Sequence, residues 1–404
     1  MTISEYININ LDKTIRINMK DGENGLIGLP YPYTVPSVAE TNFFQEMYYW
    51  DTYFTCKGLE LLGRWELIKN NTDNMLYMID RYGYMPNGTR ECLFGRSQPP
   101  VLSLMVRDVY DHYKDRVWLI GAYKMLGKEY DFWMNKRITP TGLNRYGGDI
   151  EDIKPYADLF RERVQTVPKD LDDTTVGEHC IALCESGWDM NPRLGWESFN
   201  YVSPDLNSLL YMLEKNMAYF ADILENGESD TWKNRSEKRR ELMNKYLAND
   251  EGLFYDYNFK SGKPNDIYSV AAMYTMFAGV ADEKQAKAMV ENLNRLEQKY
   301  GITACEKYDT ASRFQWHYPN GWAPLHYIAV MALDKYGYKE DARRIAEKYV
   351  TLAETVFEKT GNLWEKYNVV NGSTDVIDGN NGCTMPAMIG WTAGAYLTLN
   401  EYLK

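Results

Sequence analysis

Five separated stretches carry the residues able to do chemistry: Tyr48-Tyr49-Trp50-Asp51, Arg96-Ser97-Gln98-Pro99-Pro100, Glu185-Ser186-Gly187-Trp188-Asp189, Gln315 to Pro324, and Trp364-Glu365-Lys366-Tyr367. Each sets flat rings beside carboxylates, amides or a guanidinium. Rings match the C–H faces of a pyranose and polar groups match its hydroxyl rim. Two carboxylates placed across such a sugar are what hydrolysis of a glycosidic bond requires. With 33 Tyr and 11 Trp, most rings must belong to the core, so the informative ones are those beside polar groups where helices break.

Asp189 has that context. Gly187 and Pro192 interrupt the helix suggested by His179 to Leu183 and set Asp189 in a turn. A carboxyl group beside an indole is partly desolvated, which raises its pKa toward that of a proton donor. A turn-forming or capping aspartate is the plainer alternative. In strict alternation Trp364, Lys366 and Asn368 share one face and leave Glu365 and Tyr367 on the other. Glu365 then reads either as a base or as a strand glutamate paired with Lys366. Gln315 to Pro324 could wall a sugar pocket or anchor a helix start. The turn Pro86-Asn87-Gly88 precedes Arg96 and Gln98, whose side chains can donate directional hydrogen bonds to hydroxyls. Arg96 could equally be half of a structural ion pair.

The elements that must position these groups are mainly helical. Leu210, Leu213, Met217, Ala221 and Leu224 follow steps of three and four, as do Ala286, Met289, Val290, Leu293 and Leu296. Similar stripes run near 65–82, 101–126, 266–280, 323–336, 340–358 and 386–402. Two segments alternate instead and predict short hairpins: 252–259 before Ser261-Gly262, and 361–370 before Asn371-Gly372. About ten to twelve helices would use most of the chain, which suits an all-α (α/α)6 toroid with short β-hairpin excursions. Residues 1–40, punctuated by Pro30, Pro32 and Pro36, predict an extended arm packed on a single domain over 41–404.

Composition narrows the function. Hydrophobic residues make up 45% and charged residues 25% of the 404, as in ordinary globular proteins. A net charge of -12 repels phosphate backbones, and no basic run interrupts it, so a small neutral saccharide is expected as partner rather than nucleic acid. The start lacks a basic-then-apolar leader pattern and no stretch is long enough to cross a bilayer, so cytoplasmic residence is expected, without a membrane partner. Six cysteines and four histidines form no ligand-like cluster in sequence, and no metal or cofactor is expected. The oligomeric state is not readable.

Taken together, the stretches resemble the trehalase family of glycoside hydrolases, in the same order from about Leu29 to Leu397. Tyr48-Tyr49-Trp50-Asp51 looks like the end of the family's first signature, and Tyr318-Pro319-Asn320-Gly321-Trp322-Ala323-Pro324 like its second, with His317 where an aspartate is usual. Gly390-Trp391-Thr392 resembles the start of the C-terminal helix. The resemblance implies an inverting α-glycosidase, with Asp189 as general acid and Glu365 as general base. Inversion implies carboxyl groups ~6.5–9.5 Å apart. Tyr48, Trp50, Asp51, Asn87, Arg96 and Gln98 would hold the transferred sugar, with Gly187, Trp188 and Trp322 around it.

Several departures point to a changed leaving-group subsite. Where the family carries Pro-Gly-Gly-Arg-Phe-Arg-Glu, this chain has Glu40 to Glu46, with Phe43 and Gln45 in place of the two arginines. Where it carries Arg-Pro-Glu, this chain has Lys154-Pro155-Tyr156, which makes Lys154 the expected substitute for the arginine. The glycine-rich lid is replaced by the short 369–382 segment. Trehalose, another α-glucoside and an α-mannoside all fit this reading. A non-catalytic sugar-binding toroid, or an enzyme using Asp256 or Glu185, stands as the alternative.

Overall fold

In the computed structural model, residues 1–38, 44–377, 387 and 389–404 are described. The chain forms an (α/α)6 toroid. Six inner helices touch in sequence around a ring: Tyr49–Leu61, Leu102–Tyr113, Pro204–Leu224, Met273–Ala278, Ala323–Lys335 and Gly390–Tyr402, the last returning to the first. Outer helices, among them Trp65–Tyr82, Arg116–Lys136, Ser229–Tyr246 and Lys339–Thr360, pack on them from outside. The division is written in the residues. Inner helix Ala323–Lys335 is buried continuously from Ala323 to Val330, whereas outer helix Lys339–Thr360 buries a stripe including Ala342, Ile345, Ala346, Tyr349 and Val350.

The ring closes where glycine permits. A Cβ on Gly58 would lie 2.7 Å from the Cα of Gly394, and a Cβ on Gly394 would overlap the carbonyl oxygen of Phe54. Only two bare backbones bring the first and last inner helices this close.

Most expected stripes appear as helices, with instructive differences. The 101–126 stripe is two helices, because Lys114 turns left-handed (φ 54°) and Asp115 caps a new start by accepting from the amides of Val117 and Trp118. Residues 1–40 are not simply extended. Ile3–Asn10 is a helix closed by a capping box in which Thr2 and Glu5 each accept from the other's amide, and Ile3, Tyr6 and Ile7 give it a buried face. Tyr257–Asn258 and Lys263–Pro264 form the first hairpin, extended by Tyr201–Val202. The second is different: Lys366–Asn368 pairs with Asn320–Trp322, placing Trp322 opposite Lys366, and bridges to its own downstream chain at Ser373. A partner so far upstream leaves no local signature. That pairing joins two of the chemistry-bearing stretches.

Candidate active site

The inner helices Tyr49–Leu61, Ala323–Lys335 and Gly390–Tyr402 turn their N-terminal ends to one end of the ring. There a cavity of about 320 Å³ opens, lined by Tyr48, Trp50, Asp51, Asn87, Arg96, Gln98, Gly187, Asp189, Trp322 and Glu365, together with residues the sequence did not single out as binding groups. Amide ends of helix dipoles favour negative charge in the space that three carboxyl groups share here.

Asp189 is pinned by its turn. Helix Asp173–Glu185 ends at Ser186, whose Oγ donates to the carbonyl of Leu183 and accepts from the amide of Trp188, and Gly187 and Met190 both turn left-handed (φ 72° and 57°). Glycine is needed at 187 for a second reason, since a Cβ there would sit 2.8 Å from the indole of Trp50. Trp50 receives a further anchor through its amide, which donates to Oε1 of Gln98 at 3.1 Å. Burial pushes the Asp189 carboxyl up to about 6, against the pull of Arg96 and Arg163 and with a further push from Glu365. Burial lifts Asp51 up to about 8, helped by Glu365 and Asp189. The cavity thus holds proton-retaining carboxyls beside Glu365.

Glu365 stands just before the strand Lys366–Asn368 and its Oε2 lies 2.8 Å from Nζ of Lys366. The pairing with Lys366 that sequence offered as the plainer alternative therefore exists, but it faces the cavity and Lys366 is buried. Trp391 donates from Nε1 to the Glu365 carbonyl at 3.2 Å, and its ring meets Trp50, Trp316 and Trp322 edge-on. The floor is a stack: Trp322 lies on Trp316 with centroids 3.6 Å apart, and Trp316 on Trp188 at 5.5 Å.

Three expected positions need correction. Lys154 is not in the site; it begins the helix Lys154–Arg163, is mostly exposed, and pairs with Asp158 at 3.0 Å and Asp173 at 3.6 Å. The cationic group supplied by that helix is Arg163, at its other end. Trp188 is fully buried behind Trp316 and backs the cavity without lining it. Gln45 turns away, accepting from Arg16 and donating to Ser37. Phe43 and residues 378–382 lie outside the described residues, but Phe44 lines the cavity.

Among the other groups sequence left open, Arg96 donates to Tyr156 Oη at 2.8 Å, and Asn87 donates to the carbonyls of Ser97 and Cys184. Glu185 is a buried structural node, held by Arg137 and the amides of Ser97 and Gly147, and Asp256 is buried against Arg193 at 2.7 Å. Neither lines the cavity. Among the described residues, no three His, Cys, Asp or Glu side chains gather as a metal cage, and no helix is long and apolar enough to cross a membrane.

Comparison with known proteins agrees with this architecture. The family model for trehalase matches residues 2–403. The periplasmic trehalase of Xanthomonas oryzae pv. oryzae (strain MAFF 311018) is 32% identical over 98% of this chain and 72% of its own length. The periplasmic trehalase of Escherichia coli O1:K1 / APEC is 31% identical over 94% and 70%. The structure of neutral trehalase Nth1 from Saccharomyces cerevisiae superposes with a TM-score of 0.79 at 28% identity, covering all of this chain and 80% of that one. A mannosylglycerate hydrolase from Thermus thermophilus shares the fold at a TM-score of 0.65 and 17% identity, over 98% of this chain and all of that one. The expected cytoplasmic residence is overturned by the curated relatives, which are named periplasmic.

Proposed function

This chain belongs to the trehalase family of glycoside hydrolases, and we propose that it cleaves an α-linked glucoside, trehalose first, with Asp189 as general acid and Glu365 as general base. The chain is an enzyme acting on a saccharide, and inversion is the general mechanism of its family. The observation that carries the residue assignment is that both carboxyl groups, delivered by unrelated loops, line one sugar-sized cavity over an aromatic floor. Asp189, raised to about 6 by burial, retains its proton into the mildly acidic range, as a donor to the glycosidic oxygen must. As the C1–O bond breaks, that proton passes to the leaving oxygen. Water attacks C1 from the opposite face and gives its proton to Glu365. Trp50, Asp51, Arg96 and Gln98 hold the transferred sugar. The expected compartment is that of the relatives, the periplasm.

The outer subsite supports a second reading of the leaving group. Gln45 and Lys154 both turn away from the cavity, and Phe44 and Arg163 line it. A leaving group other than glucose, or an α-mannoside, fits such a changed wall. Incubation with trehalose and a panel of α-disaccharides, followed by NMR of the anomer first released, decides both points. The expected product from the inner subsite has β configuration, and Asp189→Asn and Glu365→Gln each lower kcat by roughly 10²–10⁴-fold. Retention of configuration, or no turnover of any α-glycoside, overturns the reading.

A further inference from the structure

Lys366 is the least expected residue of the site. Its side chain is 1% exposed, a position lysine almost never takes without a partner. An ammonium stripped of water is costly, and a methionine or leucine would fill the same space without that cost. The strand pairing Trp322↔Lys366 puts it there, and among the described residues its Nζ has three neighbours that belong to the cavity wall. Glu365 Oε2 is 2.8 Å away, Gln315 Oε1 is 3.2 Å away, and the ring of Trp322 lies 4.8 Å below.

The Trp322 ring is one end of the stack that forms the cavity floor. At the other end, the guanidinium of Arg193 sits 4.3 Å from the Trp188 ring, itself clamped by Asp205 and Asp256. The aromatic floor is thus bracketed by two buried cations, each lying against an indole. Arg193 is locked to its own carboxylates. Lys366 pairs with Glu365 of the cavity wall.

Glu365 needs such a neighbour. It shares the cavity with the carboxyls of Asp51 and Asp189, both of which it pushes up, Arg96 and Arg163 pull on Asp189, and among the described lining residues Gln315, Trp316, Trp322 and Trp391 offer it no charge. We propose that Lys366 is a positioning residue for hydrolysis: its buried ammonium fixes the rotamer of Glu365 and supplies the counter-charge that lets it accept a proton from water beside two other carboxyl groups. Trp322 and Gln315 hold the ammonium in place. This rests on the assignment of Glu365 as base.

The test is the pH–rate profile of the purified whole chain carrying Lys366→Met, with whichever α-glucoside the wild type turns over. The expected result is a kcat reduced about 100-fold, KM within about threefold, and an acid limb displaced upward by about one pH unit. Gln315→Glu serves as a second variant, because a competing carboxylate draws the ammonium from Glu365 while leaving the lysine in place. Its acid limb is expected to move in the same direction. If Lys366→Met does not fold, this second profile decides alone. An unmoved acid limb in a folded variant, with Glu365→Gln inactive, overturns the role of Lys366 and leaves the base assignment standing. An active Glu365→Gln overturns the base assignment itself, whatever Lys366 does.

Discussion

Asp51 shows how a carboxyl group that lines the cavity affects the stability of its own fold. Burial, with Glu365 and Asp189 nearby, lifts its carboxyl up to about 8, so the folded chain keeps a proton there that the unfolded chain loses near 4. Between those values the native state binds more protons, and stability falls as pH rises through the window. Asp51→Asn removes that dependence. Its thermal midpoint is expected to gain on the wild type by at least about 2 °C between pH 5 and pH 8, measured by calorimetry at both values; an equal difference at both refutes the argument. Helix breakers and a neighbouring indole marked Asp189 in the sequence and alternation marked the segment of Glu365, and both side chains line the cavity. Arg163 had no such mark. It reaches the cavity because the end of its helix docks on the 312–313 segment, where Arg313 donates its amide to the Arg163 carbonyl. Nothing near Arg163 in sequence records that contact. Lys154 misled for the complementary reason: it occupies the opposite end of the same helix, where Asp158 one turn on holds it in solvent.

At the scale of elements, local pattern revealed existence and long-range packing decided partnership. Apolar steps of three and four located helices such as Trp65–Tyr82, Pro204–Leu224 and Ala323–Lys335 nearly to the residue. The strand after Glu365 was visible as alternation, but its partner at Asn320–Trp322 was not, because hydrogen-bonded register between distant segments leaves no periodicity in either. The contact between helices Tyr49–Leu61 and Gly390–Tyr402 depends on a pair of glycines that sequence shows as ordinary helix weak points. Gly394→Ala is expected to destabilise the protein by roughly 1–3 kcal/mol or more, because the added methyl overlaps the Phe54 carbonyl. Gly121→Ala, on the exposed face of helix Arg116–Lys136 with nothing near its Cβ, is expected to stabilise it by about 0.5–1 kcal/mol. Denaturant melts of the two variants should move in opposite directions, and a shift of the same sign in both would refute the close-approach argument.

Across the whole molecule, buried histidines contribute to the loss of stability on the acid side. His326 is fully buried, accepts the amide of Ile302 at Nε2 and faces the Trp322 carbonyl with Nδ1, so its neutral form is the one that fits. His179 accepts the amide of Phe199 in the same way. Burial lowers both to about 4. Their contribution is fully present above the unfolded value near 6.5 and is lost as pH falls through 6.5 toward about 4. His326→Gln is expected to lower the midpoint at neutral pH while flattening its decline between pH 6.5 and 4; an unchanged slope in a pH series of thermal melts would rule this histidine out.

The closure of the ring by Gly390–Tyr402 has a consequence for the timing of assembly. Trp391, on the first turn of that helix, secures the Glu365 backbone and walls the cavity, and the same helix seals the barrel against Tyr49–Leu61. A chain still emerging from the ribosome can build most of its helices, yet it has neither a finished core nor a finished pocket until this segment arrives. Structural completion and a finished pocket therefore coincide, and a variant lacking residues 390–402 is expected to show neither a cooperative melt nor hydrolysis of an α-glycoside.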